Sequence, residues 1–184
     1  MEVSFSVEQD ILRRAASGDE DAFEELIEAF SPALYRVVRR MATSSGLAEE
    51  IVQETFWRVW QALPRYRADR RFFPYLATIA ANLVRDEWRK DRRLAREDLE
   101  DLPELASDQP PPEKQVEAAE LMEKLARSVK DLPPLCRVVI ALRYDAGMSY
   151  EDIASALDLP INTVRTYLHR AKSKLQVLLE EAYG

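Results

Sequence analysis

Histidine and cysteine are nearly missing from this sequence: its 184 residues include one of each, His169 and Cys136. That excludes a zinc site built from such ligands and any internal disulfide, and the lone cysteine fits a reducing compartment. Glycine is scarce as well, four in the chain, and none stands in a loop that would cradle a phosphate or a dinucleotide. No apolar run approaches membrane-spanning length, and the opening MEVSFSVEQD lacks the basic and apolar regions of a secretion signal. The cytoplasm is therefore the expected location. Acid pairs such as Glu49-Glu50 read as surface charge on helices, so neither catalysis, cofactor nor metal is expected.

What the chain has in excess is negative charge, −7 overall with a pI near 5.0, which taken alone argues against a nucleic-acid partner. The excess is local. Residues 96–115, REDLEDLPELASDQPPPEKQ, hold seven acids against two cations, several prolines and almost no large apolar side chain. Such a segment cannot bury enough surface to order itself and reads as a linker. It divides the chain into two small domains, 1–95 and 116–184. Sparse glycine and apolar residues at helical spacing make both all-α, the second a helix-turn-helix domain.

Helix signals are frequent. Ser6 with Gln9 resembles a capping box, opening a helix that closes at Gly18. Asp19-Glu20-Asp21 suits the next helix N-terminus, and Ser31-Pro32 looks like the start of a third, ALYRVVRRM. LAEEIVQETFWRVWQAL forms a fourth, ending at Pro64, and a fifth runs from about Pro74 to Leu94 after the basic loop RYRADRRF. The second half offers QVEAAELMEKLARSVKDL, then PLCRVVIALRYDA closed by Gly147, then two short helices on either side of Asp158-Leu159-Pro160.

Three surfaces are not explained by a core. On the fifth helix Leu76, Ile79, Ala80 and Leu83 share one face, while Thr78, Asn82, Arg85, Arg89, Arg92 and Arg93 lie roughly opposite. Residues 65–93 carry nine Lys/Arg against four acids. A cationic track beside Tyr66, Phe72, Phe73 and Tyr75 suits single-stranded DNA, whose bases can stack on aromatic rings; the same aromatics could equally be core. On the fourth helix Val52, Thr55, Phe56, Val59 and Leu63 face inward, leaving Glu49, Gln53, Trp57 and Trp60 to the side. That composition is either a protein-binding hot spot or the mark of Trp57 folded over the domain edge.

The third surface is at the C-terminus. Ser149 with Asp152 forms a capping box, and Ile153, Ala154 and Leu157 give an inner face. On the last helix Val164, Leu168, Ala171, Leu175 and Leu178 point inward; Asn162, Thr166, His169 and Ser173 point out, flanked by Arg165 and Arg170. No acid occurs over 159–179. This is the pattern of a helix-turn-helix, whose second helix enters the major groove, where arginine forks onto guanine edges or grips phosphate. The alternative is an ordinary helical hairpin.

The ordered segments GDEDAFEELIEAFSPALYRVVRRM, AEEIVQETFWRVWQAL, IAANLVRDEWRKDRR, the acidic linker and LPPLCRVVIALRYDAGMSYEDIASALDLPINTVRTYLHRAKSKL resemble bacterial extracytoplasmic-function (ECF) sigma factors of the sigma-70 superfamily. The resemblance covers nearly the whole chain. It implies an initiation factor that binds core RNA polymerase, directs it to promoters and assists melting. Glu50, Gln53, Glu54 and Trp57 would contact the polymerase clamp helices. Asn82, Arg85 and Arg89, with Arg67, Arg71 and Phe72 in the loop from Arg65 to Phe73, would recognise the minus-ten element as duplex and non-template single strand. Asn162, Arg165, Thr166, His169 and Arg170 would read the minus-thirty-five element, and Leu132, Leu135, Val138 and Val139 would face the polymerase flap. An anti-sigma factor is an implied partner. Tyr75, Asp158 and Asn162 depart from residues common in the family: a tryptophan at the first position and glycines at the other two. Two further readings stand beside this one: a helix-turn-helix regulator that binds duplex DNA without acting as a sigma factor, and a decoy that occupies polymerase without promoter function.

Overall fold

The computed structural model describes residues 5–66, 71–94 and 132–183. Its elements are α1 (Phe5–Ala16), α2 (Glu20–Met41), α3 (Ser45–Ala62), a 3-10 turn (Leu63–Arg65), α4 (Phe72–Leu94), α5 (Pro134–Ile140) running into a π-helical turn (Ala141–Asp145), α6 (Tyr150–Leu157) and α7 (Ile161–Tyr183). No strand occurs among the described residues, as an all-α chain requires. The linker, and all but the last residue of the helix expected over QVEAAELMEKLARSVKDL, lie outside them.

Local chemistry sets most boundaries. Gly18, at φ 95°, ends the first helix in a conformation that other residues rarely adopt. Asp19 then caps α2 by accepting from the Ala22 N–H at 3.0 Å, a bond that holds its carboxyl below the usual range. Ser44 caps α3 in the same way, accepting from the Leu47 N–H at 3.2 Å.

One boundary differs from expectation. Ser31-Pro32 does not begin a new helix: α2 passes through Pro32 and continues to Met41. A proline inside a helix removes one backbone bond and costs roughly 3 kcal/mol. Here Leu26 before it and Leu34, Val37, Val38 and Met41 after it are all buried on one stripe. Burying each such side chain contributes about 1.5–3 kcal/mol, and breaking the helix would forfeit the alignment. Packing overrides the local signal.

α2, α3 and α4 pack on one another, and α5 and α6 pack on α7. The two sets also meet: α2 lies against α5 and the π turn, and α4 against α6 and the π turn. Buried residues from Leu12 through Val84 and from Leu132 through Ala171 consequently belong to one apolar cluster. Ala77, Ala81 and Val84 are fully buried although they flank the stripe expected to face the core, which α4 can achieve only by being covered on more than one side.

Candidate nucleic-acid and polymerase interfaces

The most open of the three surfaces is on α7. Ser149 accepts from the Asp152 N–H at 3.0 Å while Asp152 accepts from the Ser149 N–H at 3.3 Å, so the capping box is closed at both ends. Asp158 takes the left-handed conformation at φ 52° that lets the chain turn. Pro160 then precedes α7, and its carbonyl accepts from Thr163 and Val164. Val164, Leu168 and Ala171 are buried against the rest of the unit. Asn162, Arg165, Thr166, His169 and Arg170 are all exposed. Arg165 Nη1 donates to Asn162 Oδ1 at 3.2 Å and Thr166 Oγ1 to the Asn162 carbonyl at 2.9 Å, contacts that hold the side chains without hiding them.

On α3 the division falls where the periodicity places it. Val52, Thr55, Phe56, Val59 and Leu63 are buried, with the Thr55 hydroxyl donating to the Ile51 carbonyl at 2.7 Å. Glu50 and Gln53 are exposed, and Glu54 pairs with Arg58 at 2.7 Å. It is Trp60 that folds down, packing on Phe23 with ring centroids 4.7 Å apart. Trp57 does not. It is 59% exposed and, with Phe23, Ile27, Gln53, Phe56 and Trp60, lines an apolar groove between α2 and α3. A bare indole beside a greasy groove is the arrangement of an interface anchor.

The α4 surface is different again. Arg71 and Arg89 are exposed, the latter paired with Asp86 at 3.0 Å; Arg67 lies outside the described residues. Thr78 turns its hydroxyl back to the Pro74 carbonyl at 2.8 Å. Phe72, expected among the DNA contacts, is fully buried, in ring contact with Phe30, Tyr66 and Tyr75. Its ring has no open face for a base, so its part is to anchor the start of α4. Phe30 also stacks on Phe73. Phe72 is core, one of the two readings the sequence left open, whereas Tyr66, Phe73 and Tyr75 are half-buried at its edge. Asn82 and Arg85 are only half exposed, because each reaches across to the end of α6. Asn82 Nδ2 donates to the Ala156 carbonyl at 3.3 Å and Arg85 Nη1 to the Leu157 carbonyl at 2.8 Å.

The same closure changes the apolar flank assigned to the polymerase flap. Leu132, Val138 and Val139 are buried within the chain's own core and Leu135 is half-buried. Their surface is already used where α5 packs on α7 and α2. Two cross-boundary contacts were not visible in sequence. Arg40 on α2 meets Asp145 of the π turn, Nε to Oδ2 at 2.8 Å, and the Arg137 guanidinium lies 5.7 Å over the ring of Trp88. Neither pair has any sequence-local signal, since its members stand on distant helices.

Comparison with known proteins fits this architecture. The Sigma-70 region 2 family matches residues 26–94 and the Sigma-70 region 4 family matches residues 117–175. The RNA polymerase sigma factor NccH of Alcaligenes xylosoxydans xylosoxydans is 34% identical over 181 residues, spanning 96% of this chain and 97% of its own. The chain belongs to the sigma-70 family, in its ECF group. The ECF RNA polymerase sigma factor SigW of Bacillus subtilis is 30% identical over 178 residues, covering 92% and 95% of the two chains. Among solved structures, CnrH in complex with the cytosolic domain of CnrY superposes with a TM-score of 0.62 at 28% identity, covering 95% of this chain and 97% of that one.

As a sigma factor the protein is a transcription initiation factor: it binds core RNA polymerase and directs it to promoters. Sigma factors in general act by binding and not by bond chemistry. The stand-alone regulator reading is not favoured. Among the described residues no helix is long and apolar enough to cross a membrane.

Proposed function

We propose that the three surfaces divide the work of initiation. Glu50, Gln53, Glu54 and Trp57 on α3 take core polymerase. Asn82, Arg85, Arg89, Arg67 and Arg71 take the minus-ten element and favour its non-template single strand over duplex, which drives melting. Asn162, Arg165, Thr166, His169 and Arg170 read the minus-thirty-five element from the major groove. In this reading residues 1–95 and 116–184 are separate domains and 96–115 is the connection between them. The factor itself catalyses no reaction and works in the cytoplasm.

The α7 face carries this reading. Five polar side chains, none acidic, stand exposed on the second helix of a helix-turn-helix in a chain of net charge −7. An acidic protein keeps its nonspecific affinity for a polyanion low and spends its cations where bases are read. A further partner in this reading is an anti-sigma protein; the similar protein CnrH is solved in complex with the cytosolic domain of CnrY.

The test is transcription from a randomised promoter library by core polymerase with the purified factor. Discrete RNA starts below two spaced upstream motifs are expected. Absence of RNA, with the protein still selecting duplex sites alone, would overturn the polymerase and minus-ten assignments.

A further inference from the structure

Three of the arginines assigned to DNA share one local arrangement. Arg85 Nη1 donates to Asn82 Oδ1 at 3.4 Å, Arg89 Nη1 to Asp86 Oδ1 at 3.0 Å and Arg165 Nη1 to Asn162 Oδ1 at 3.2 Å. In each the acceptor stands three positions before the arginine, a spacing that sets the two side chains on neighbouring turns of one helix face. The geometry repeats and the acceptor does not. Asn82 and Asn162 are neutral and leave their arginines a full positive charge, whereas Asp86 cancels the charge of Arg89. Its bond is the shortest of the three, as a charge-assisted one should be. Lys90, the next exposed cation, is paired in the same way with Glu87. The exposed cations at this end of α4 thus each carry an acid, while residues 159–179 on and before α7 contain none.

From this pattern we infer that Asp86 is a specificity-determining residue of the minus-ten surface: it positions Arg89 and cancels its charge, so that Arg89 reads the minus-ten strand without adding to the pull on DNA of any sequence. The inference rests on the assignment of Arg89 to the minus-ten element.

The alternative, a pair kept for the fold, has little behind it. Asp86 and Arg89 are both exposed, and an exposed ion pair adds little to stability. Set among cations that face a polyanion, an acid also lowers affinity. What the pair does supply is direction. A phosphate can claim Arg89 only by displacing a carboxylate that already neutralises it, a nearly even exchange. A base edge needs no such exchange, because the guanidinium has five N–H donors and Asp86 occupies one side of it. On α7 the neutral Asn162 orients Arg165 and leaves its charge to grip phosphate as well as read bases.

The test uses the full chain bound to core polymerase and two fluorescein-labelled single-stranded 30-mers. One is the non-template strand of a promoter selected from the randomised library; the other is the same strand with its minus-ten segment scrambled. Anisotropy gives the affinity of each across a salt series. Asp86→Asn keeps the size and the acceptor and removes the charge. It is expected to bind the scrambled strand about fivefold more tightly at about 0.1 M salt, and to steepen the slope of log K on log salt by about 0.7, the worth of one more phosphate contact on a single strand. The selected strand is expected to gain less, so that discrimination between the two falls. Asp86→Glu, which keeps the charge, is expected to keep the parental slope. Unchanged affinity and slope in Asp86→Asn would overturn the inference, as would an equal gain on both strands, since the acid would then only subtract charge. Arg89→Ala separates this from the underlying assignment. If it weakens the selected strand while Asp86→Asn behaves as the parent, only the role of Asp86 fails; if it changes neither strand, the assignment of Arg89 fails and the inference with it.

Discussion

The basic faces of α4 and α7 look alike in composition and differ in access. On α7 the five polar residues assigned to DNA are exposed, and the bonds from Arg165 and Thr166 to Asn162 stay within the helix. On α4 two of the corresponding residues donate to carbonyls more than seventy positions away. The difference comes from what each helix packs against. α7 buries one stripe under its own unit and leaves the other side free, whereas α4 lies between α2 and α3 on one side and α6 and the π turn on another. A helix with cover on two sides keeps little solvent for its polar residues. Similar composition therefore does not give similar availability.

The largest effect on this contrast should come from the apolar layer beneath the turn. Leu157 is fully buried and its carbonyl is the one Arg85 holds. Leu157→Ala should cost about 2–5 kcal/mol in urea unfolding and impair both faces together. Next is Arg165→Ala, which should reduce discrimination between matched and mismatched minus-thirty-five sequences by about 1–3 kcal/mol in footprint titrations. Equal losses on both sequences would make Arg165 a phosphate contact. Because it is exposed, the same change should leave stability within about 0.5 kcal/mol.

Arg85→Ala sharpens the comparison from the other side. It removes the donor to the Leu157 carbonyl and should lower unfolding stability by about 1 kcal/mol, a loss the α7 arginine does not produce. Ser149→Ala should cost a similar amount, about 1 kcal/mol, by opening the capping box of α6, with the minus-thirty-five readout weakened in proportion. The smallest effect is a pH dependence. The folded state holds the Asp145 proton more tightly than the unfolded chain does, so this group adds stability below the unfolded carboxylate pKa of about 4. That contribution fades as the pH rises through the raised folded value. Measured as the difference in unfolding free energy between the parent and Asp145→Asn across a pH series, it should decline over that window. A flat difference would mean that the carboxyl is not desolvated where α2 meets the π turn.

Much of this was legible from residue order. The helix starts at Asp19 and Ser149 rest on contacts within three residues, so their chemistry is complete in the sequence; the Ser44 cap of α3 is as local, though the sequence reading began that helix at Leu47. Helical periodicity separated Val52, Phe56 and Val59 from Trp57, and Val164 and Leu168 from Arg165 and His169, because one apolar stripe faces one core. Pro32 and Phe72 were misleading for a shared reason: local propensity and residue type say nothing of how much neighbouring surface a side chain will find. The Pro32 signal yielded to the buried stripe of α2, and the Phe72 ring to its aromatic neighbours.

The sequence by itself determined most of the helices, the helix starts at Asp19 and Ser149, the helix-turn-helix and the family, since each of these rests on interactions between residues close along the chain or on a pattern repeated over its length. Only the tertiary structure decided which polar faces are free. The contacts of Asn82, Arg85, Arg40 and Arg137 join helices that the chain order keeps far apart, and such pairings are set by how apolar surfaces pack, not by what stands beside each residue.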